Sequence, residues 1–191
     1  MAQRKTTKRK PLPKTDSLEP LRAALRKRTK EDLISLVLEW AGGSRATQRE
    51  LEARFGVQGP DQELVARTRQ AIADATDFDE REINYNFDYD YGAYQTVERN
   101  FQRMVKAGQL EEAMELALEL MRSGSYQVEM SDEGMMTEDV ERCLRVVLRA
   151  VETSKLPPAR VVAWCDALRK SDRAGFILDK EINALRNRWE R

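Results

Sequence analysis

Val140, Cys143, Leu144, Val147, Leu148 and Val151 recur three or four positions apart. That period puts all six on one face of an α-helix and scatters them over both faces of a strand. It runs through most of the chain. Leu64, Val65, Thr68 and Ile72 keep it, as do Tyr94, Val97, Phe101, Met104 and Val105, and then Leu110, Ala113, Met114, Ala117, Leu120 and Met121. Val161, Val162, Cys165 and Leu168 follow, and Leu178, Ile182, Leu185 and Trp189 close the series. With nine glycines and six prolines in 191 residues, and few β-branched or aromatic runs, an all-β fold lacks both strands and turns. The spacing predicts an all-α fold of about eight to ten helices packed as antiparallel hairpins. The helix around 140–151 is expected to be among the most buried. One helical domain over 17–191 is the simplest division.

Punctuation between the stripes supports this division. Leu18, Leu21 and Leu25 form a thin first stripe. Thr29-Lys-Glu-Asp32 then has the form of an N-terminal cap leading into Leu33, Ile34, Val37, Leu38 and Ala41, and Gly42-Gly43 ends that helix. Ser44 caps a short helix carrying Leu51 and Phe55, stopped by Gly56, and Gly59-Pro60-Asp61 is a turn. Gly108 separates two helices of a hairpin, and Pro157-Pro158 stops one helix and opens the next. Residues 125–139 read as a loop, with Met130, Met135 and Met136 filling core space.

Charge is distributed unevenly. Residues 1–30 hold eleven Lys or Arg against Asp16 and Glu19, a net of +9, and since the chain as a whole is neutral the remainder carries −9. Residues 1–16 have two prolines and almost nothing to bury, the signature of a disordered basic arm. Lys8, Arg9 and Lys10 are its candidates for phosphate contact, weak and non-specific because no aromatic is interleaved for base stacking.

The least generic stretch is residues 83–94, which holds four of the five tyrosines. Ile83, Tyr85, Phe87, Tyr89 and Tyr91 alternate with Asn and Asp, while Ile83, Phe87, Tyr91 and Tyr94 also share a helical stripe. We read an irregular connector in which Ile83, Phe87 and Tyr91 plug the core. Asp88 or Asp90 caps the next helix, and Tyr85, Tyr89, Asp88 and Asp90 are the candidates for contact with a partner. Seven acids lie between Asp74 and Asp90 against Arg81 alone. An EF-hand started at Asn86 would put Tyr91 where Gly is needed and Val97 where Glu is needed, so that motif fails.

Several chemistries are excluded by what is missing. There is no histidine, which removes Ser-His and Cys-His pairs and the zinc sites that require imidazole. Cys143 and Cys165 fall on apolar positions and read as small buried hydrophobes in a reducing compartment. No run approaches the ~20 apolar residues of a membrane span, and the basic N-terminus lacks an apolar leader, so a cytoplasmic protein without membrane contact is expected. Neither cofactor nor metal is expected. An enzyme would have to rest on Asp77, Asp79, Asp88 and Asp90 with a metal ion, and a non-enzymatic protein is the stronger expectation.

Longer phrases carry a resemblance. Arg26-Lys-Arg-Thr-Lys-Glu-Asp-Leu-Ile34, Phe78-Asp-Glu-Arg-Glu-Ile-Asn84, Asn86-Phe-Asp-Tyr-Asp-Tyr91, Gly124-Ser-Tyr-Gln-Val-Glu-Met-Ser-Asp-Glu-Gly134 and Ala163-Trp-Cys-Asp166 resemble the helical region of bacterial proteins described as SWIM zinc-finger proteins. The likeness spans most of residues 20–180. The SWIM metal pattern, Cys-x-Cys followed by Cys-x-His, is absent, so the likeness implies the helical portion and assigns no zinc ligand. Locally, Lys106-Ala-Gly-Gln-Leu-Glu-Glu-Ala-Met-Glu-Leu-Ala117 is similar to the turn and second helix of a tetratricopeptide-type hairpin, without that repeat's Trp and Pro. These features together predict a helical-repeat-type module that binds an as yet unidentified protein partner. A nucleic-acid-associated protein acting through the basic arm is the alternative.

Overall fold

A computed structural model describes residues 18–55, 63–81, 89–131 and 137–190. The described residues form nine α-helices and no strand. These are α1 (Glu19–Leu25), α2 (Lys30–Gly43), α3 (Arg45–Phe55), α4 (Leu64–Ala75), α5 (Tyr91–Lys106), α6 (Leu110–Met130), α7 (Thr137–Glu152), α8 (Pro158–Ser171) and α9 (Asp179–Trp189). The chain divides into two units, residues 1–47 and 48–191.

In the first unit, α2 begins with the cap its sequence announces. The Thr29 hydroxyl accepts from Asp32 N–H at 3.1 Å and the Asp32 carboxylate accepts from Thr29 N–H at 3.2 Å, satisfying two of the helix's orphan donors reciprocally. Neither α1 nor α2 contains a buried residue. The start of α3 is marked by Ser44, whose hydroxyl accepts from Thr47 N–H at 3.3 Å.

The second unit is built on α6 and α7. Around one side of this pair α4 packs on α5 and α6, and α5 packs on α7. Around the other, α8 packs on α6 and α9, and α9 closes onto α7. The two four-helix groups thus share α6 and α7, which explains why those helices contribute the largest buried sets. In α7 every residue of the predicted stripe, Val140, Cys143, Leu144, Val147, Leu148 and Val151, is buried. Tyr94, Phe101 and Met104 enter from α5, and Val161, Trp164, Cys165 and Leu168 from α8. The Trp164 indole N–H donates to the Met114 carbonyl at 2.9 Å, so its polar atom is satisfied in the core.

The structure corrects the reading of residues 125–139 as a loop, since α6 continues through Met130. At Gly124 α6 lies tight against α7: a Cβ there would stand 2.8 Å from Val140 Cγ2. Ser125 is buried beside it, donating to the Ser171 carbonyl at 3.1 Å and accepting from Arg173 N–H at 3.0 Å. Those partners lie more than forty residues away. Met130 is partly buried, whereas Met135 and Met136 lie outside the described residues. Gly108 has φ +77°, a conformation glycine adopts without strain, and ends α5 as expected. Leu178, the residue before α9, also has positive φ, at 53°, and its side chain is buried.

Candidate interaction sites

Of the tyrosine-rich stretch, residues 89 onward are described, and Ile83, Tyr85, Phe87 and Asp88 lie outside the described residues. Asp90 is the N-cap of α5, its Oδ1 accepting from Ala93 N–H at 2.9 Å. Its other oxygen pairs with Arg49 of α3, which also pairs with Asp74 of α4. The Arg49 side chain is only 13% exposed, so one guanidinium joins three helices from a position largely shielded from water.

Tyr89 and Tyr91 exchange the roles expected of them. Tyr91, read as a core plug, is 47% exposed, and Arg142 lies over its ring at 5.6 Å from the centroid. Tyr89 turns inward instead, meeting the Tyr94 ring edge-on at 6.0 Å. The cap explains the exchange. With Asp90 at the N-terminus of α5, Tyr94 takes the buried face together with Ala93 and Val97, and Tyr91 falls on the opposite side of the first turn.

Tyr89 donates its hydroxyl proton to Asp139 Oδ2 at 2.7 Å, and Asp139, itself buried, pairs through its other oxygen with Arg142. Burial and the Asp139 hydrogen bond push the Tyr89 phenol up to about 12. Behind it the Tyr94 hydroxyl donates to Gln127 Oε1 at 2.7 Å, and the Gln127 amide donates to the Ala75 carbonyl at 3.4 Å. Burial raises the Tyr94 phenol far above its ordinary range. Tyr89 and Asp90, both named as partner contacts, are therefore engaged within the chain. Tyr91 is the side chain of this group that presents a large apolar surface. Nothing in the sequence alone marks the Tyr89–Asp139 pairing, because the two are fifty positions apart.

The acidic connector shows structural uses for its described members. Asp79 Oδ1 accepts from Arg81 N–H at 2.9 Å, and Glu80 accepts from the Tyr126 hydroxyl. Phe78 and Arg173 pack on the Tyr126 ring from 5.7 and 4.2 Å. Among the described residues no three Asp, Glu, Cys or His side chains are grouped so as to hold a metal ion. The α7 arginines are partly neutralised: Arg142 pairs with Asp139 and Glu98, and Arg145 with Glu141 and Glu181. Arg142 Nε lies 3.0 Å from a Glu98 oxygen but its N–H is not aligned for a hydrogen bond. A groove of about 420 Å³ lies between α7 and α9, lined by Leu148 and Leu185 and by Arg145, Arg149 and Arg188 together with Glu152 and Glu181.

Both cysteines are free and buried. Burial pushes the Cys143 thiol up to about 12 and the Cys165 thiol up to about 11, which keeps both protonated and unreactive at neutral pH. No described helix is long and apolar enough to cross a membrane.

The most conspicuous surface in the first unit was not singled out by sequence pattern. Ile34, Leu38 and Trp40 of α2 are 47%, 65% and 62% exposed, and Leu18 and Leu21 at α1 are also exposed. Lys8, Arg9 and Lys10 lie outside the described residues, but Arg26, Lys27 and Arg28 between α1 and α2, and Lys30 at the start of α2, are exposed cations that follow the same basic segment. No family model matches the chain, and neither the curated proteins nor the solved structures yielded a match.

Proposed function

We propose that this chain is a non-enzymatic helical interaction module, and that α2 is its docking element. The observation that carries this reading is the contrast within one helix: α2 is the chain's most continuously apolar described helix outside the core, yet it buries none of its residues. Scattered exposed apolar side chains are ordinary, but a contiguous group on one short helix marks a contact surface. The thiols, held protonated by burial, offer no nucleophile, which supports a binding role over catalysis. Tyr91 with Arg142 forms a smaller secondary contact on the second unit. A cytoplasmic setting and a lineage shared with the helical region of SWIM-type proteins are part of the same proposal, with no residue role drawn from the latter.

The test uses the burial of both native cysteines. Leu38→Cys adds an accessible thiol, which in dilute protein should react with a maleimide at a rate near that of an unfolded peptide. A thiol as protected as Cys143 in dilute monomer would show that the chain covers this face itself, and the reading would fail.

A second reading rests on the exposed cations Arg26, Lys27, Arg28 and Lys30, which extend the basic segment bearing Lys8, Arg9 and Lys10. It predicts nucleic-acid binding that falls steeply with salt and disappears when residues 1–14 are deleted. Salt-independent binding, or none, rules it out.

A further inference from the structure

We propose that the groove between α7 and α9 receives an acidic peptide segment of a partner protein, an apolar side chain of the segment lying over Ala184 and a neighbouring carboxylate pairing with Arg149. The site is on the second unit and stands apart from the α2 face, so neither reading depends on the other.

Two ion pairs fix the ends of the groove. Arg145 of α7 donates to Glu181 of α9 at 3.3 Å, and seven residues further along both helices Glu152 accepts from Arg188. The two helices therefore run in the same direction in one register, with the ion pairs about 10 Å apart along them. In that register Leu148 falls level with Ala184, and Arg149 with Leu185, midway between the pairs. Leu148 and Leu185 are each 7% exposed, so what they add to the groove is an apolar lining. Ala184 is exposed and has no atom beyond Cβ to fill the space next to it. The volume of about 420 Å³ falls in the range of ligand pockets, roughly 300–1,000 Å³. The interval between the ion pairs matches about three residues of extended peptide.

Charge selects the occupant. Both glutamates that line the groove are already engaged, Glu181 by Arg145 and Glu152 by Arg188. Arg149 is exposed and has no ion pair among the described residues. The sequence gives the reason: the positions four before and four after it are Arg145 and Thr153, and Glu152, three residues on, is taken by Arg188. Such a guanidinium can offer an incoming carboxylate two parallel N–H donors without breaking any contact of the fold. A basic segment would have to displace Arg145 or Arg188 from its glutamate, so the groove discriminates against it. Nucleic acid fits poorly for another reason. Its affinity comes from several cations neutralising successive phosphates, whereas here two of the three arginines are already paired.

The test is selection of phage-displayed random heptapeptides on the immobilised full chain. The library is cleared first on Arg149→Gln protein, which keeps the α2 face and removes peptides held there. The enriched sequences should carry Asp or Glu beside Leu, Ile, Met or Phe. The strongest of them, synthesised, should shift the amide resonances of residues 148–149 and 184–185 in isotopically labelled full chain. Replacing its acid by the corresponding amide should weaken binding about tenfold. Ala184→Leu fills the space and should abolish binding while leaving the far-UV spectrum unchanged. No enrichment, an enriched set without acids, shifts confined to other helices, or binding that survives Ala184→Leu each overturns the proposal. A thymidine oligonucleotide that displaces the peptide overturns it too, since the groove would then be a phosphate site.

Discussion

The α1–α2 unit and the α4–α9 assembly have similar local signals and opposite fates. Both α2 and α7 are apolar at helical spacing and both start with acidic first turns. Yet α7 buries seven residues and α2 none. The difference lies in long-range company. Helix α7 is met by α5, α6 and α9, while in α2 Ile34, Leu38 and Trp40 stay exposed and Leu33, Leu36, Val37 and Ala41 are only partly covered. Apolar period therefore says that a helix will be covered, and leaves open whether its own chain or another supplies the cover.

The contrast is most simply broken by truncation on each side. Leu144→Ala should cost about 2–5 kcal/mol in chemical denaturation, the range for a buried leucine leaving a cavity, whereas Leu38→Ala in dilute protein should stay within about 0.5 kcal/mol. Equal losses would mean that α2 is part of the same core. Next come the glycines. Gly124→Ala puts a methyl 2.8 Å from the stiff Val140 side chain and should cost about 1–3 kcal/mol, while Gly42→Ala meets no atom within 4 Å and should stabilise by up to about 1 kcal/mol. A neutral Gly124→Ala would show that α6 and α7 can part at little cost.

Asp90 sharpens the account within the second unit. Asp90→Ala removes both the α5 cap and one partner of Arg49, and a loss of about 2 kcal/mol is expected in urea unfolding. Asp90→Asn keeps an oxygen for the cap and should lose about half as much. If the two variants lose the same amount, the Arg49 contact contributes nothing.

A further effect is expected in alkaline solution. The Tyr89 phenol is raised from 10.0 to about 12 and the Cys143 thiol from 9.0 to about 12. The folded chain thus holds protons that the unfolded chain releases. Their contribution is complete below about pH 9 and is lost as pH climbs from there toward 12. The melting temperature should fall across that window, and Tyr89→Phe should flatten the part above pH 10. No tyrosine or cysteine lies in residues 18–47, so a transition in α2 followed separately should lack these contributions. A melting temperature that stays level up to pH 12 would contradict this.

How far the sequence could be read follows from where the partners lie. The α7 stripe, the Thr29–Asp32 cap, the Gly108 break and the Asp90 cap are local patterns, and each is found where the spacing places it. The C-terminal third of α6 was illegible for the opposite reason. Ser125, Tyr126 and Gln127 look like loop residues, but their polar groups are satisfied by Ser171, Glu80 and Tyr94. Those partners are brought in by tertiary packing alone. The inward turn of Tyr89 depends in the same way on Asp139. The apolar residues of α2 were legible, but their exposure was not, since nothing in a period reveals which stripe the fold will leave without company.

Hydrogen exchange followed segment by segment, at several protein concentrations, tests this distinction most directly. Amides of residues 140–151 should exchange slowly and at one rate throughout. Amides of residues 30–43 should exchange orders of magnitude faster in dilute protein. Residues 30–43 exchanging as slowly as 140–151 at every concentration would contradict the account, because α2 would then belong to the chain's own core.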